Sequence, residues 1–221
     1  MDRIASIVAG LSLAFVGTST TIAATINVPG DYPTIQDAIN ASSDGDTIQL
    51  VQGLYTESNI NPSGKAITIQ GTVVDGSPET IVQRLTDFQP VFEISSGSPT
   101  LRGLQILPFP DTLGNGISIT GGSPTIDNCY ISGHTGSGIS NNNSNATISN
   151  CTISANSGQG AGIYCYSSNP TISDCTITGN SAGSGGNTFN EGGGIYCHGS
   201  SPTIVRCMIS NNTSDYEGGG I

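Results

Sequence analysis

The stretch Ser123-Pro124-Thr125-Ile126-Asp127-Asn128-Cys129-Tyr130-Ile131-Ser132 returns as Asn145-Ala146-Thr147-Ile148-Ser149-Asn150-Cys151-Thr152-Ile153-Ser154. It returns again at 169–178 and 201–210, each time as Thr-Ile, two residues, then Cys-x-Ile. A Gly-Ile pair precedes every copy, and the steps Ile117 to Ile126, Ile139 to Ile148, Ile163 to Ile172 and Ile195 to Ile204 are each nine residues. From the Ile of Thr-Ile on to the next Gly-Ile the steps are 13, 15, 23 and 17 residues. One arc of the repeat keeps its register while the other absorbs every insertion. A coil of stacked turns with a fixed wall and one variable edge has this signature, and function belongs beside the variable edge.

Within a copy, Cys129 and Ile131 are two apart, the period of a strand. Ile126 and Cys129 are three apart, and the extra residue requires a corner between two short strands. Gly-Ile supplies a third strand, and the density of Gly, Pro and β-branched residues disfavours helix. Residues 98–107 are a cruder copy with Leu104 at the Cys place, and Thr47-Ile48 and Thr68-Ile69 mark earlier turns. Seven such turns in parallel make a column of roughly 34 Å. His134, Asn156, Asn180 and Asn212 follow the Cys-x-Ile strands at equivalent places. Asn tolerates left-handed backbone, so this column is expected to form a second corner, with His134 a turn residue.

Residues 1–24 read as a secretory signal: Arg3, an apolar run from Ile4 to Gly17, and small residues at Ala23-Ala24. The expected product is secreted or displayed at the cell surface, and an uncleaved anchor is the alternative. The net charge of −11 opposes nucleic acid as a partner, and polyanionic glycans too unless a metal ion intervenes. Residues 25–45 form an N-terminal cap and 46–221 the repeats. Ile221 falls mid-repeat with no second cap, so a longer protein is expected, and membrane attachment would come through a following region or the uncleaved signal.

The chain resembles the right-handed parallel β-helix proteins of the pectin-lyase-like superfamily. Val28-Pro-Gly-Asp-Tyr-Pro-Thr-Ile-Gln-Asp-Ala-Ile39, Asp44-Gly-Asp-Thr-Ile-Gln-Leu50, Gly53-Leu-Tyr-Thr-Glu57 and Lys65-Ala-Ile-Thr-Ile-Gln-Gly71 are similar to the start of many secreted members and of pectin methylesterases. The Gly-Gly-Gly-Ile and Cys-x-Ile-x-x-Asn units resemble adhesin-like, polymorphic-outer-membrane-type repeats. The resemblance implies an all-β, single-stranded right-handed parallel β-helix, a solenoid with a short N-terminal capping helix. From the residues, Thr34 and Asp37 imitate a capping box, with Ile35, Ala38 and Ile39 covering the open end of the coil.

Cys129, Cys151, Cys175 and Cys207 share one inward column, and Cys165 and Cys197 another. An even count in an exported chain admits disulfides, but stacked parallel neighbours point the same way, which favours free thiols acting as small apolar residues. Tyr164 and Tyr196 stack outward just after the variable loop, with Tyr166 and His198 two residues on. They make either a platform for sugar rings or pairs that merely stabilise the sheet. Glu191 and Glu217 each lie four residues before a Gly-Ile isoleucine. Hydrated loop carboxylates are the simplest reading. A calcium site shared with Asp215, or a catalytic pair about 5 Å apart, are the others. The resemblance does not extend to the lyase, polygalacturonase or methylesterase residues: Arg102 and Arg206 stand four turns apart, roughly 19 Å, and no cationic cluster forms. No cofactor is implied. The expected role is a scaffold whose longest loop, Thr178 to Gly193, and Tyr ladder face a polysaccharide or cell-surface glycan. The alternative is a polysaccharide-active hydrolase or lyase with part of its site outside this chain.

Overall fold

The computed structural model describes residues 22–110, 113–183, 192–216 and 218–221. The signal stretch up to residue 21, Glu191, Glu217 and half of the Thr178–Gly193 loop lie outside them. The chain coils to the right as a parallel solenoid with three sheets of eight, seven and five strands. The first sheet runs from Thr25–Val28 through Thr47–Leu50, Thr68–Gln70, Thr100–Arg102, Thr125–Asp127, Thr147–Ser149 and Thr171–Ser173 to Thr203–Val205. Like residues pair with like along it: Thr125 with Thr147, Ile126 with Ile148, Ile148 with Ile172. Because each turn repeats the same alternation, Ile48, Ile69, Leu101, Ile126, Ile148 and Ile172 stack into one fully buried column.

The corner into the second sheet falls where the extra residue requires it. Gly103, Asn128, Asn150, Asp174 and Arg206 adopt left-handed φ values of 63, 47, 54, 55 and 53°. Each is followed by the residue that opens the second-sheet side, Leu104 or a cysteine. Cys129, Cys151 and Cys175 are buried, Cys207 is half-buried, and all six cysteines are free thiols. Each thiol of this column leans on backbone oxygen: Cys151 Sγ lies 3.1 Å from the Ser149 carbonyl and Cys175 Sγ 3.2 Å from that of Ser173. A hydrogen bond with Cys129, with burial adding to it, raises the Cys151 pKa well above its ordinary value.

The asparagine column departs from the sequence expectation. The left-handed residues at the far end of the second sheet are Gly133, Ala155, Gly179 and Asn211, one position earlier. His134, Asn156 and Asn180 are instead turned inward and fully buried. Asn156 Oδ1 accepts from the His134 N–H (3.0 Å), and Asn180 Oδ1 from the N–H (3.1 Å) and Nδ2 (3.0 Å) of Asn156. Asn212 Oδ1 receives the same two bonds from Asn180. Each Nδ2 also donates to an isoleucine carbonyl one turn back: Ile131, Ile153 and Ile177 for Asn156, Asn180 and Asn212. The column is a ladder that satisfies buried backbone groups at the bend, which Asn can do because one amide both donates and accepts.

At the ladder's end the same role falls to His134. Arg84 is fully buried, and its Nη2 lies 3.0 Å from His134 Nδ1, 2.7 Å from the Gly114 carbonyl and 3.0 Å from that of Asn115. Guanidinium can only donate, so Nδ1 is the acceptor and Nε2 carries the proton toward the Ile106 carbonyl at 3.1 Å. Burial, with the Arg84 charge adding to it, pulls the His134 pKa down to about 4.

The helix Ile35–Ala41 lies over the first strands with Ile35, Ala38 and Ile39 fully buried. Thr34 accepts from the Asp37 N–H at 3.0 Å, as the capping box requires. Glu57, from the next turn, accepts from the N–H groups of Ile35 (2.8 Å) and Gln36 (3.2 Å). Lys65 Nζ donates to the carbonyls of Ile39, Asn40 and Ser42. The helix ends are thus met by a carboxylate at the positive end and an ammonium at the negative end. One further departure concerns the insertions. In the turn from Thr68–Gln70 to Thr80–Gln83 the extra residues enter at the first corner, as a hairpin pairing Val73–Val74 with Ser77–Pro78.

Candidate functional site

The third sheet comprises Phe92–Ile94, Ile117–Ile119, Ile139–Asn142, Ile163–Tyr166 and Ile195–His198. Its isoleucines point inward, so alternate residues point out. Tyr164 pairs with Tyr196 and Tyr166 with His198 across neighbouring turns. The four rings form a grid. Centroids are 5.2 Å apart for Tyr164–Tyr196 and 5.0 Å for Tyr166–His198, across turns. Along the strands they are 6.4 Å apart for Tyr164–Tyr166 and 6.5 Å for Tyr196–His198. All four pairs are near parallel, within 16°. The spacing of parallel strands sets the first pair of distances and the two-residue repeat of a strand the second, so the backbone register fixes the grid. Tyr164 and Tyr196 are half-buried, whereas Tyr166 and His198 are exposed.

The variable arc reaches this sheet through glycines. Gly160 and Gly192 have left-handed φ of 57° and 67°. A Cβ at Gly160 would come within 2.8 Å of the Tyr164 ring and of Tyr196 Cβ, and one at Gly192 within 2.6 Å of Tyr196 backbone and Cβ. The loops therefore press on the inner pair of rings and leave the outer pair open. Burial is the main cause of a raised Tyr164 pKa, with the neighbouring tyrosines adding to it, so the phenol stays protonated at neutral pH.

Beside Tyr164 a groove of about 330 Å³ is lined by Asn115, Thr135, Gly136, Ser137, Ser140, Gly158 and Gln159. Ser137 donates its hydroxyl to the Gln159 carbonyl at 2.6 Å, and its N–H goes to Asn115 Oδ1 at 2.9 Å. These bonds tie the loops of successive turns into one wall. The lining bears hydroxyls and amides and no formal charge.

The cations among the described residues are engaged elsewhere. Lys65 closes the helix and Arg84 lies inside the coil. Arg102 pairs with Asp127 at 3.1 Å, and Arg206 holds Asp174 through two bonds of 2.6 and 2.7 Å. Of the carboxylates singled out in the sequence, Glu191 and Glu217 lie outside the described residues, and Asp215 donates its N–H to the Ala182 carbonyl at 2.9 Å. The structure thus brings together Tyr164, Tyr196, Tyr166 and His198. It adds Asn115, Ser137 and Gln159, which sequence reasoning missed because they sit in the arc whose spacing changes each turn. Gly136 and Gly158, recurring at the close approach of successive loops, were the available signal.

A family model described as a right handed beta helix region matches residues 59–221. No curated protein and no solved structure matches the chain.

Proposed function

We propose that this chain, which belongs to the right-handed β-helix family, is an exported scaffold that binds neutral glycan on its third sheet. The observation that supports this most directly is the ring grid of Tyr164, Tyr166, Tyr196 and His198 beside an uncharged groove of hydroxyls and amides. Sugar rings offer apolar C–H faces and a polar rim, which matches rings flanked by such groups. Polyuronates are poorly matched, since the described Arg and Lys side chains are committed to the helix, the interior and two carboxylates. The apolar run after Arg3 and the small residues at Ala23-Ala24 support export, and sequencing the mature N-terminus tests it.

The binding test is titration with neutral hexasaccharides, followed by calorimetry. Replacing Tyr166 and His198 together by Ala should weaken binding by about tenfold, the scale of lost aromatic contacts, without unfolding the coil. A reducing-sugar assay on the same ligands completes it. Turnover that disappears in Glu191→Gln or Glu217→Gln would replace the scaffold with a hydrolase or lyase.

A further inference from the structure

The hairpin at Val73–Pro78 breaks the rule that insertions enter beside the third sheet, and it stands over the second. It is held in place at several points. Thr72 donates its N–H to Thr80 Oγ1 at 2.9 Å, and Glu79 its N–H to the Thr72 carbonyl at 2.8 Å, which closes the base. Gln105 Nε2 reaches up from the second sheet to the Pro78 carbonyl at 2.7 Å. At the corner, Gly103 has a left-handed φ of 63°, and a Cβ there would meet Val73 Cγ2 at 2.6 Å. The hairpin is therefore packed against the coil as a wall.

Between that wall and the sheet lies a groove of about 590 Å³. This is within the range of small-molecule sites, about 300–1,000 Å³. Its floor is a row in register across successive turns, Gln105 beside Tyr130 beside Thr152, with Asn128 and Asn150 at the corner. No charged side chain lines it. Gln105 and Tyr130 are half-buried, as are Thr152 and Asn128. The side-chain Oε1 of Gln105, the side-chain amide of Asn128 and the Thr152 hydroxyl have no hydrogen-bond partner among the described residues. A row of half-buried, unpartnered donors and acceptors around an aromatic ring, beneath a fixed wall, suits a ligand that is itself neutral and rich in hydroxyls. Water satisfies such groups only one at a time, whereas a ring bearing several hydroxyls satisfies them together and covers Tyr130.

We propose that this groove is a second saccharide-binding site, on a different face from the ring grid and recognising neutral sugar units. The two sites would let one solenoid grip a glycan at separate points along its wall, which raises overall affinity through effective concentration.

The test titrates the full chain with cellohexaose, xylohexaose and mannohexaose, with hexagalacturonate as the acidic control, followed by calorimetry and ligand-observed NMR. Tyr130→Ala should weaken binding of at least one neutral hexasaccharide by about tenfold. Thr152→Val, which keeps the shape and removes the hydroxyl, should weaken it by about threefold. Both residues face outward, so circular dichroism should show the coil intact. In the protein carrying Tyr166→Ala and His198→Ala, the Tyr130-dependent binding should persist. Wild-type protein that binds none of the neutral sugars overturns the proposal. So does binding unchanged by Tyr130→Ala and Thr152→Val, and if that binding is lost in the Tyr166→Ala, His198→Ala protein, the ring grid stands and this groove does not.

Discussion

On one side of each regular second-sheet strand stands a cysteine, and on the other an asparagine or histidine. Cys129, Cys151 and Cys175 are buried, and so are His134, Asn156 and Asn180. Both columns sit at bends where the chain leaves one sheet for another, and both follow a left-handed residue. The cysteines touch carbonyls that already accept backbone N–H groups: the Ser149 carbonyl beside Cys151 accepts from Asn128 N–H at 3.0 Å. The Oδ1 atoms of Asn156 and Asn180 accept from the N–H groups of His134 and Asn156, which meet no backbone carbonyl among the described residues, and the Nδ2 groups add a second donor to the Ile131 and Ile153 carbonyls. A thiol at a bend fills space, while an amide there replaces missing sheet. The difference is in what would be left unpaired.

The largest effect should therefore follow Asn156→Ala. It strands the His134 N–H in the interior, takes the second of two donors from the Ile131 carbonyl, and removes a donor to Asn180 Oδ1. An unsatisfied buried N–H costs about 1–3 kcal/mol and each of the two further hydrogen bonds lost about 1 kcal/mol, so a total loss of about 3–4 kcal/mol is expected. In a chain of this size that lowers the melting temperature by about 10 °C. Denaturant melts of Asn156→Ala and Cys151→Ala, run side by side, measure the contrast. Equal losses would refute the distinction between the columns.

The histidine at the ladder's end adds a pH dependence that asparagine cannot have. Folding lowers the His134 pKa from 6.5 to about 4, so between those values the unfolded chain binds the extra proton. Stability then rises with pH: the contribution is complete above about pH 6.5 and is lost as pH falls toward 4. A shift of that size corresponds to about 3 kcal/mol. His134→Asn continues the ladder and keeps an acceptor for Arg84, so its melting temperature should change less between pH 7 and 4 than that of the wild type. Parallel slopes for the two proteins would show that His134 does not titrate in that window.

Cys151→Ala should cost less than Asn156→Ala, about 1–2 kcal/mol, for the lost sulfur volume and a weak bond. Cys151→Ser should stay in the same range: its hydroxyl can take over the contact with the Ser149 carbonyl but buries a more polar group.

The columns also mark where the sequence can be read. Repetition at nine residues located the strands and the first corner, because a period-two pattern with one residue too many admits little else. It placed Tyr164 against Tyr196 for the same reason: equivalent residues in a parallel coil must be neighbours. It placed Asn156 correctly at a bend and assigned it the wrong task, since Asn is common both as a left-handed residue and as an amide in a ladder. Only the positive φ of Ala155 separates the two. The groove beside Tyr164 was hidden because Asn115, Thr135 and Gln159 come from loops of unequal length. The buried Arg84 was hidden because charge ordinarily predicts exposure, and its partners are backbone carbonyls and a histidine far along the chain.

The smallest effect should come from the most visible polar contact. Arg206 grips Asp174 with two short bonds, and this lowers the Asp174 pKa, yet both groups are exposed to solvent. Water screens such a pair, so its removal should hardly register. Arg206 is also a corner residue with φ of 53°, in the place that Asn128 and Asn150 fill in earlier turns. Arg206→Asn removes the ion pair but supplies a residue better suited to left-handed backbone, and its melting temperature should match that of the wild type. Arg206→Val removes the same ion pair and forces a β-branched side chain into that conformation, so it should melt lower. If the two variants fall together, the ion pair holds the corner. If only Val falls, the backbone does, and the surface bridge is incidental to the bend it spans.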